Sequence, residues 1–308
     1  MLARVDSAEP GLRPRRSTGR TGDALLLGLS GLAAGATALL LGLIAYEVFR
    51  QAWPAMHRFG FHFLVSSSWD PVKGVFGAWQ FILGTIVTSF AAVLIAGPLS
   101  IAIGLFLSKL APRSVRGAIG ALVELLAAVP SVVLGLWGIF VLGPFVAAHV
   151  EPLLGHVGVR GDPSNVGLLP AILILTIMIV PITASISREL FLSVPRELEE
   201  AAFALGATRW EVVKGVVLPY ARGGLVAAVV LGLGRALGEA IAVTQVIGNS
   251  ERISHSIFGP GDTLASRVAG QYQGAPTNIQ VSSLVYLAAI LLVITVIANL
   301  LAQGIVRR

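Results

Sequence analysis

Six long apolar stretches, near residues 24–48, 79–108, 118–149, 167–187, 223–248 and 284–305, dominate this sequence. A helix needs about 20 consecutive, mostly apolar residues to cross the hydrocarbon core of a bilayer. Each stretch reaches that length, so the pattern predicts an all-α, polytopic membrane helix bundle of about six transmembrane helices, with both termini on one side. Composition agrees: 55% of the 308 residues are hydrophobic and only 12% are charged, about half the charged share of a soluble domain. Two stretches are longer than a span requires and carry Pro98 or Pro130, which predicts kinks or broken ends, not additional spans.

The chain has no cysteine, which excludes a disulfide framework, a thiolate nucleophile and cysteine-ligated zinc or iron–sulfur centres. Its net charge of +6 does not form a soluble basic face that would fit nucleic acid. The basic residues sit in short clusters between apolar runs, as in a membrane orientation signal. With the N-terminus inside, 15 of the 22 Lys and Arg residues fall on the cytoplasmic side. Among them are Arg4, Arg13, Arg15, Arg16, Lys109, Arg116, Arg188, Arg307 and Arg308; Arg50, Arg58, Lys73, Arg160, Arg252 and Arg267 fall outside. The expectation is a multi-pass membrane protein with both termini cytoplasmic.

Residues 1–22 read as a disordered, basic cytoplasmic tail and residues 23–308 as one transmembrane domain. The first apolar run exceeds the 7–15 residues of a signal-peptide core, so it is expected to stay as an anchor. Gly31 and Gly35 form a GxxxG spacing, read as ordinary close packing. Trp53, Trp69, Trp79 and Trp137 fall at outer span ends, as interfacial aromatic belts require. Phe61, Phe63 and Trp69 in the first outer connection are read mainly as interface anchors, with a surface for an external partner as the alternative.

The most informative polar segment is the loop 188–222, RELFLSVPRELEEAAFALGATRWEVVKGVVLPYAR. After Pro195, a short helix with carboxylates in its first turn is expected, broken by Gly206. A second short helix from about Thr208 is expected to end at Leu218-Pro219 before the fifth span begins. Two short helices at an angle make a protruding knob. The spacing Glu200-Ala201-Ala202, Gly206, then Leu218-Pro219, suits docking: alanines permit close approach, the glycine permits a bend, and the glutamate offers a charge.

No nucleotide site accompanies this loop. A phosphate-cradling GxxxxGK[ST] is absent, since none of Lys73, Lys109 and Lys214 follows a glycine. The run Gly232, Gly234, Gly238 lies in an apolar stretch and is read as helix packing. That stretch also holds Arg235 and Glu239, four residues apart and so on one helix face. An arginine near the bilayer centre costs about 2.5–3.5 kcal/mol, so it should face a partner or a watery path. A planar guanidinium suits a tetrahedral oxyanion, and Glu239 would hold it in place. A salt bridge that serves only packing is the other reading. Thr244 and Ser131 could add hydroxyls to the path, although such hydroxyls usually bond their own backbone. Glu124, in the third run, is read equally as a gating group or as the interfacial partner of Arg116 or Arg113.

The EAA-like loop followed by LGLGRALGEA (231–240) resembles the phosphate ABC transporter permeases of the PstC type. GTIVTSF (84–90), IAIGLFLSKLAP (101–112), ELLAAVPSVVLGLWGIF (124–140) and IMIVPI (177–182) are similar to the same family. The resemblance implies the type I ABC importer permease fold and a transport subunit that is not an enzyme and carries no cofactor or metal. It implies four associates: a PstA-type second permease, a homodimeric PstB-type ATPase, a PstS-type phosphate-binding protein outside the membrane, and the lipid itself. By the same resemblance, Arg235 and Glu239 line the pathway and Glu200 through Gly206 form the coupling segment for the ATPase.

Two alternatives stay open. A permease for sulfate or molybdate would share the architecture. A proton-coupled secondary transporter using Glu239 as relay would work without any ATPase. A membrane-embedded enzyme fits least, because His57, His62, His149, His156 and His255 lie in or near outer loops with no HExxH spacing.

Overall fold

The computed structural model describes residues 19–155, 164–252 and 256–306. Most of the expected tail, together with Arg160, His156, His255, Arg307 and Arg308, lies outside the described residues. The chain divides into two compact units, Met1–Glu47 and Val48–Arg308. In the first, the described part is one helix that already begins at Gly19, inside the stretch expected as tail. Its leucines, Leu25 to Leu43, are exposed, and a Cβ at Gly31 or Gly35 would meet nothing within 4 Å. Among the described residues, nothing packs at this GxxxG.

Six helices have the length and composition to cross a membrane: Gly22–Phe59, Trp79–Leu110, Ser131–Leu153, Leu168–Leu192, Arg209–Gly238 and Asn278–Gly304. Among the described residues the only β pairing is a single bridge between Asp70 and Val75. The first, second, fourth and sixth spans fall where the apolar runs lie. Pro98 and Pro181 sit inside the unbroken second and fourth spans; neighbouring helices and side chains make such prolines tolerable within a membrane bundle.

The third run is broken at its proline, as expected, so that its span begins only at Ser131, and the fifth run needs correction. The third is two helices, Arg113–Ala128 and Ser131–Trp137 with its continuation, separated by extended backbone at Val129 and Pro130. Pro130 explains the break, because a proline disfavours helical backbone in the residue before it. The fifth span starts at Arg209, not near 223, and stops at Gly238. Leu218-Pro219 therefore does not end a helix. A π-helical turn at Val213–Val217 precedes it, loosening the helix where the proline ring would crowd the Gly215 carbonyl. In consequence the polar loop expected at 188–222 contracts to residues 193–208.

The second and fourth spans form the centre of the second unit. Small residues let them approach closely: a Cβ at Gly104 would fall 2.7 Å from Ser187 Cβ and 2.9 Å from the Arg188 nitrogen. Ser100 Oγ donates to Val180 O at 3.3 Å across the same seam. Ala92, Ala96, Ile174, Met178 and Ile179 continue this core toward Val243 and Val246.

At the end of the bundle where the first connection lies, a second core gathers Phe63, Trp69, Phe76, Phe81 and Tyr286. Trp69 is 5% exposed, meets Phe76 and Phe81 edge-to-face at 4.9 and 5.2 Å, and donates from Nε1 to Gln271 Oε1. Phe63 stacks on Tyr286 at 4.5 Å. Neither residue is an interface anchor; the connection folds back and buries both. Phe61 stays 87% exposed, and Trp53, Trp79 and Trp137 remain partly exposed.

Candidate functional site

The fifth span ends inside the bundle. Glu239 leaves the helix in extended backbone, and a new helix starts at Ile241–Val246. The Glu239 carboxylate compensates the break by accepting the Ala242 amide at 3.4 Å, the role of a capping side chain. Arg235 lies in the last turn of the span, where the unpaired carbonyls favour a cation. Its Nη2 is 3.9 Å from Glu239 Oε2. The expected pairing is present, although Glu239 lies beyond the helix end and not on its face.

The two partners differ in access: the Arg235 side chain is 41% exposed and that of Glu239 10%. Both line a cleft of about 570 Å³ with Ile182, Leu231, Gly234, Gly238, Thr295 and Asn299. Its wall thus combines one accessible cation, one engaged carboxylate and two neutral hydrogen-bonding side chains. Thr295 and Asn299 were not singled out from sequence. The signal was present, since two polar residues four apart interrupt the last apolar run on one helix face.

Thr244, Ser131 and Glu124 are not among the residues lining this cleft. Thr244 Oγ1 donates to Ala240 O at 2.7 Å, the backbone bond usual for such hydroxyls. Ser131 is the first residue after the break at Pro130. Glu124 belongs to the separate Arg113–Ala128 helix, is 67% exposed, and stands 3.9 Å from Arg188 Nη1. Arg116 instead donates to Ala111 O. Of the packing glycines, Gly232 abuts Ile179 and Thr183 of the fourth span, whereas Gly238 faces open space.

At the opposite end of the fifth span lies the short helix Arg196–Ala204. Gly206, at φ +87°, closes it: its N–H donates to Phe203 O and the Ala207 N–H to Ala202 O, the two bonds of a Schellman cap. Thr208 then caps the fifth span reciprocally with Glu211. Ala202 packs against Phe191, Val194, Val212 and Val217, with Leu218 in the same cluster. Glu200 and Ala201 point to solvent, beside Leu198, Phe203, Leu205 and Trp210, all exposed. Alanine inward and glutamate with apolar side chains outward make a surface suited to a partner.

The aromatic end, beside Trp69 and Phe81, holds an ion pair that the sequence did not reveal. Arg267, 2% exposed, places Nε 2.7 Å from Asp262 Oδ2 and Nη1 3.2 Å from Glu251 Oε1. Its guanidinium lies over the Phe81 ring at 4.7 Å. Burial pushes the Asp262 carboxyl above its ordinary value, opposed by Arg267 and by hydrogen bonds from Ser266 and the Thr263 amide. Among the described residues no three His, Asp or Glu side chains gather as metal ligands.

Residues 100–308 match the family model of the binding-protein-dependent transport system inner membrane component. The chain is 45% identical to the phosphate transport system permease protein PstC of Mesorhizobium japonicum, over 93% of this chain and 90% of that protein. It is 42% identical to the protein of the same name from Haemophilus influenzae, over 86% and 87%. PstC 1 of Mycobacterium tuberculosis is 37% identical over 94% of both chains. Among solved structures, the bacterial alginate ABC transporter in complex with alginate pentasaccharide-bound periplasmic protein gives a TM-score of 0.59 at 18% identity, covering 92% of this chain and 97% of that one. The inward-facing MetNI methionine ABC transporter gives 0.53 at 23% identity, over 77% and 94%. The fold is thus that of importer permeases, and the chain belongs to the PstC-type phosphate permeases within the binding-protein-dependent inner membrane components.

Proposed function

We propose that this chain forms one half of the membrane pathway of an ATP-driven phosphate importer, with Arg235 as the cation that guides the anion across. The observation that carries this reading is the Arg235 cleft: a 41% exposed guanidinium at a helix break inside the bundle, facing about 570 Å³ of space. Broken helices within a membrane bundle are tolerated where they line a cavity, and an accessible guanidinium there attracts an anion through a low-dielectric gap. Glu239 is held by the Ala242 amide and offsets the charge of Arg235. The anion is therefore drawn in without being trapped. Thr295 and Asn299 offer neutral hydrogen bonds to its oxygens.

The rest of the machine lies in other chains. A PstA-type permease completes the pathway, a PstB-type ATPase pair binds the exposed Glu200 surface, and a PstS-type binding protein delivers phosphate from outside. The Arg196–Ala204 end faces the cytoplasm, with both termini inside, in keeping with the basic residues Lys109, Arg116 and Arg188 at that end. Closure of the ATPase pair moves the coupling helices and turns the bundle from inward- to outward-facing.

The test is uptake of labelled phosphate into vesicles holding this chain with its three associates. Arg235→Ala should lower ATP-driven uptake by about tenfold or more, the loss of one charged hydrogen bond. Glu200→Ala should lower it by weakening retention of the ATPase. Uptake persisting without ATPase or ATP would overturn the reading in favour of a proton-coupled carrier.

A further inference from the structure

The coupling helix carries three nearby carboxylates, and they do not face the same way. Glu197 and Glu200 are exposed, while the Glu199 side chain is only 18% exposed. Glu199 Oε1 forms a close, charge-assisted hydrogen bond with Lys109 Nζ, ninety residues away in sequence. Lys109 is itself 17% exposed and stands in the π-helical turn Phe106–Leu110 that ends the second span. That turn closes with the Ala111 amide on Phe106 O, Ala111 leaves it in extended backbone, and Pro112 precedes the next helix as its N-cap.

Among the described residues, the other side-chain contacts holding the coupling helix to the bundle are apolar. Ala202 rests among Phe191, Val194, Val212 and Val217, with Ile101 and Leu105 alongside. Such contacts are non-directional and permit sliding, whereas a charge-assisted hydrogen bond fixes a distance and a direction. The second span is in turn locked to the fourth, since Gly104 admits no side chain against Ser187 and Arg188. The fourth span contributes Ile182 to the Arg235 cleft. A continuous path of contacts therefore runs from Glu199 through Lys109 and the paired spans to the cleft.

We propose that the Lys109–Glu199 pair is the strut through which displacement of the coupling helix is delivered to the second span, and that Glu199 is a positioning residue facing its own chain while Glu200 faces the ATPase. This rests on the importer reading. It divides the acidic segment into an inward transmission residue and an outward docking residue.

The experiment uses the complete importer in vesicles and compares wild type with Lys109→Glu, Glu199→Lys, the charge-exchanged double variant, and the neutral Lys109→Met/Glu199→Gln pair. Three quantities are read: ATPase retained on purification, ATP hydrolysed, and phosphate imported per ATP. Each single reversal should lower phosphate per ATP by about tenfold, within the usual range of coupling between sites, with the ATPase retained and ATP still hydrolysed. The exchanged pair should return the ratio to within about twofold of wild type. The neutral pair leaves no buried like charges, so it should fold and still show the low ratio. Unchanged ratios in the single variants, loss of the ATPase from Glu199→Lys, or no rescue by the exchanged pair would each overturn the strut while wild-type import stands. Wild-type vesicles with no ATP-driven import would instead overturn the importer reading, and the strut with it.

Discussion

The two ends of the bundle are built on opposite plans. At the aromatic end, a connection, a helix and the neighbouring spans close around Phe63, Trp69, Phe76, Phe81 and Tyr286, with Arg267 and Asp262 buried beside them. At the opposite end, the nine-residue helix Arg196–Ala204, with no buried residue, leans on six buried apolar side chains and one ion pair. Buried aromatic area and desolvated charge pairs resist local opening, while exposed backbone and sparse burial permit it. The aromatic end is thus built to resist local opening, and the Arg196–Ala204 end to permit it.

The largest effect expected from breaking this contrast is at Arg267. Arg267→Ala leaves Asp262 as an uncompensated buried carboxylate and should cost about 3–5 kcal/mol, read as a lower denaturation midpoint in detergent. Burial already disfavours the charged form of Asp262, so Asp262→Asn with Arg267→Met should recover part of the loss. A midpoint unchanged in Arg267→Ala would show that the aromatic core does not depend on this pair.

A smaller and local effect is expected at Gly206. Its φ of +87° meets no neighbouring atom, so only backbone strain opposes a side chain. Gly206→Ala should cost about 1–2 kcal/mol, seen as faster hydrogen exchange at residues 196–208 with the amides of the aromatic end unchanged. Faster exchange at both ends would mean that the two ends are not independent units of stability. The smallest effect belongs to Glu124. At 67% exposure and 3.9 Å from Arg188, Glu124→Gln should shift stability by less than about 0.5 kcal/mol and leave uptake unchanged. A marked loss of uptake would restore the gating role that its sequence context allowed.

Span number was legible in the sequence because bilayer thickness imposes a length that composition reports directly. The break at Pro130 was half-legible. The proline was visible, but the preceding Arg113–Ala128 helix is apolar enough to read as part of the same span. The break at Glu239 was hidden, since an acid four residues after an arginine looks the same whether it completes a helix face or caps the next helix. Trp69 and Phe63 misled for a related reason: an aromatic at a span end looks alike in a lipid belt and in a core until the connection folds back. Arg267 read as a loop charge, and the Lys109–Glu199 pair joins residues too distant in sequence for any spacing rule.

The central claim is that the Arg235 cleft lies on the conducting path. The chain has no cysteine, so Asn299→Cys and Thr295→Cys each place a single thiol on the cleft wall. The decisive measurement is labelling of these thiols, in the assembled importer, by a small charged thiol reagent with and without ATP. The account predicts labelling whose rate changes with nucleotide state and blocks uptake once complete. Thiols that remain unlabelled in every nucleotide state, or that label fully without affecting uptake, would contradict it.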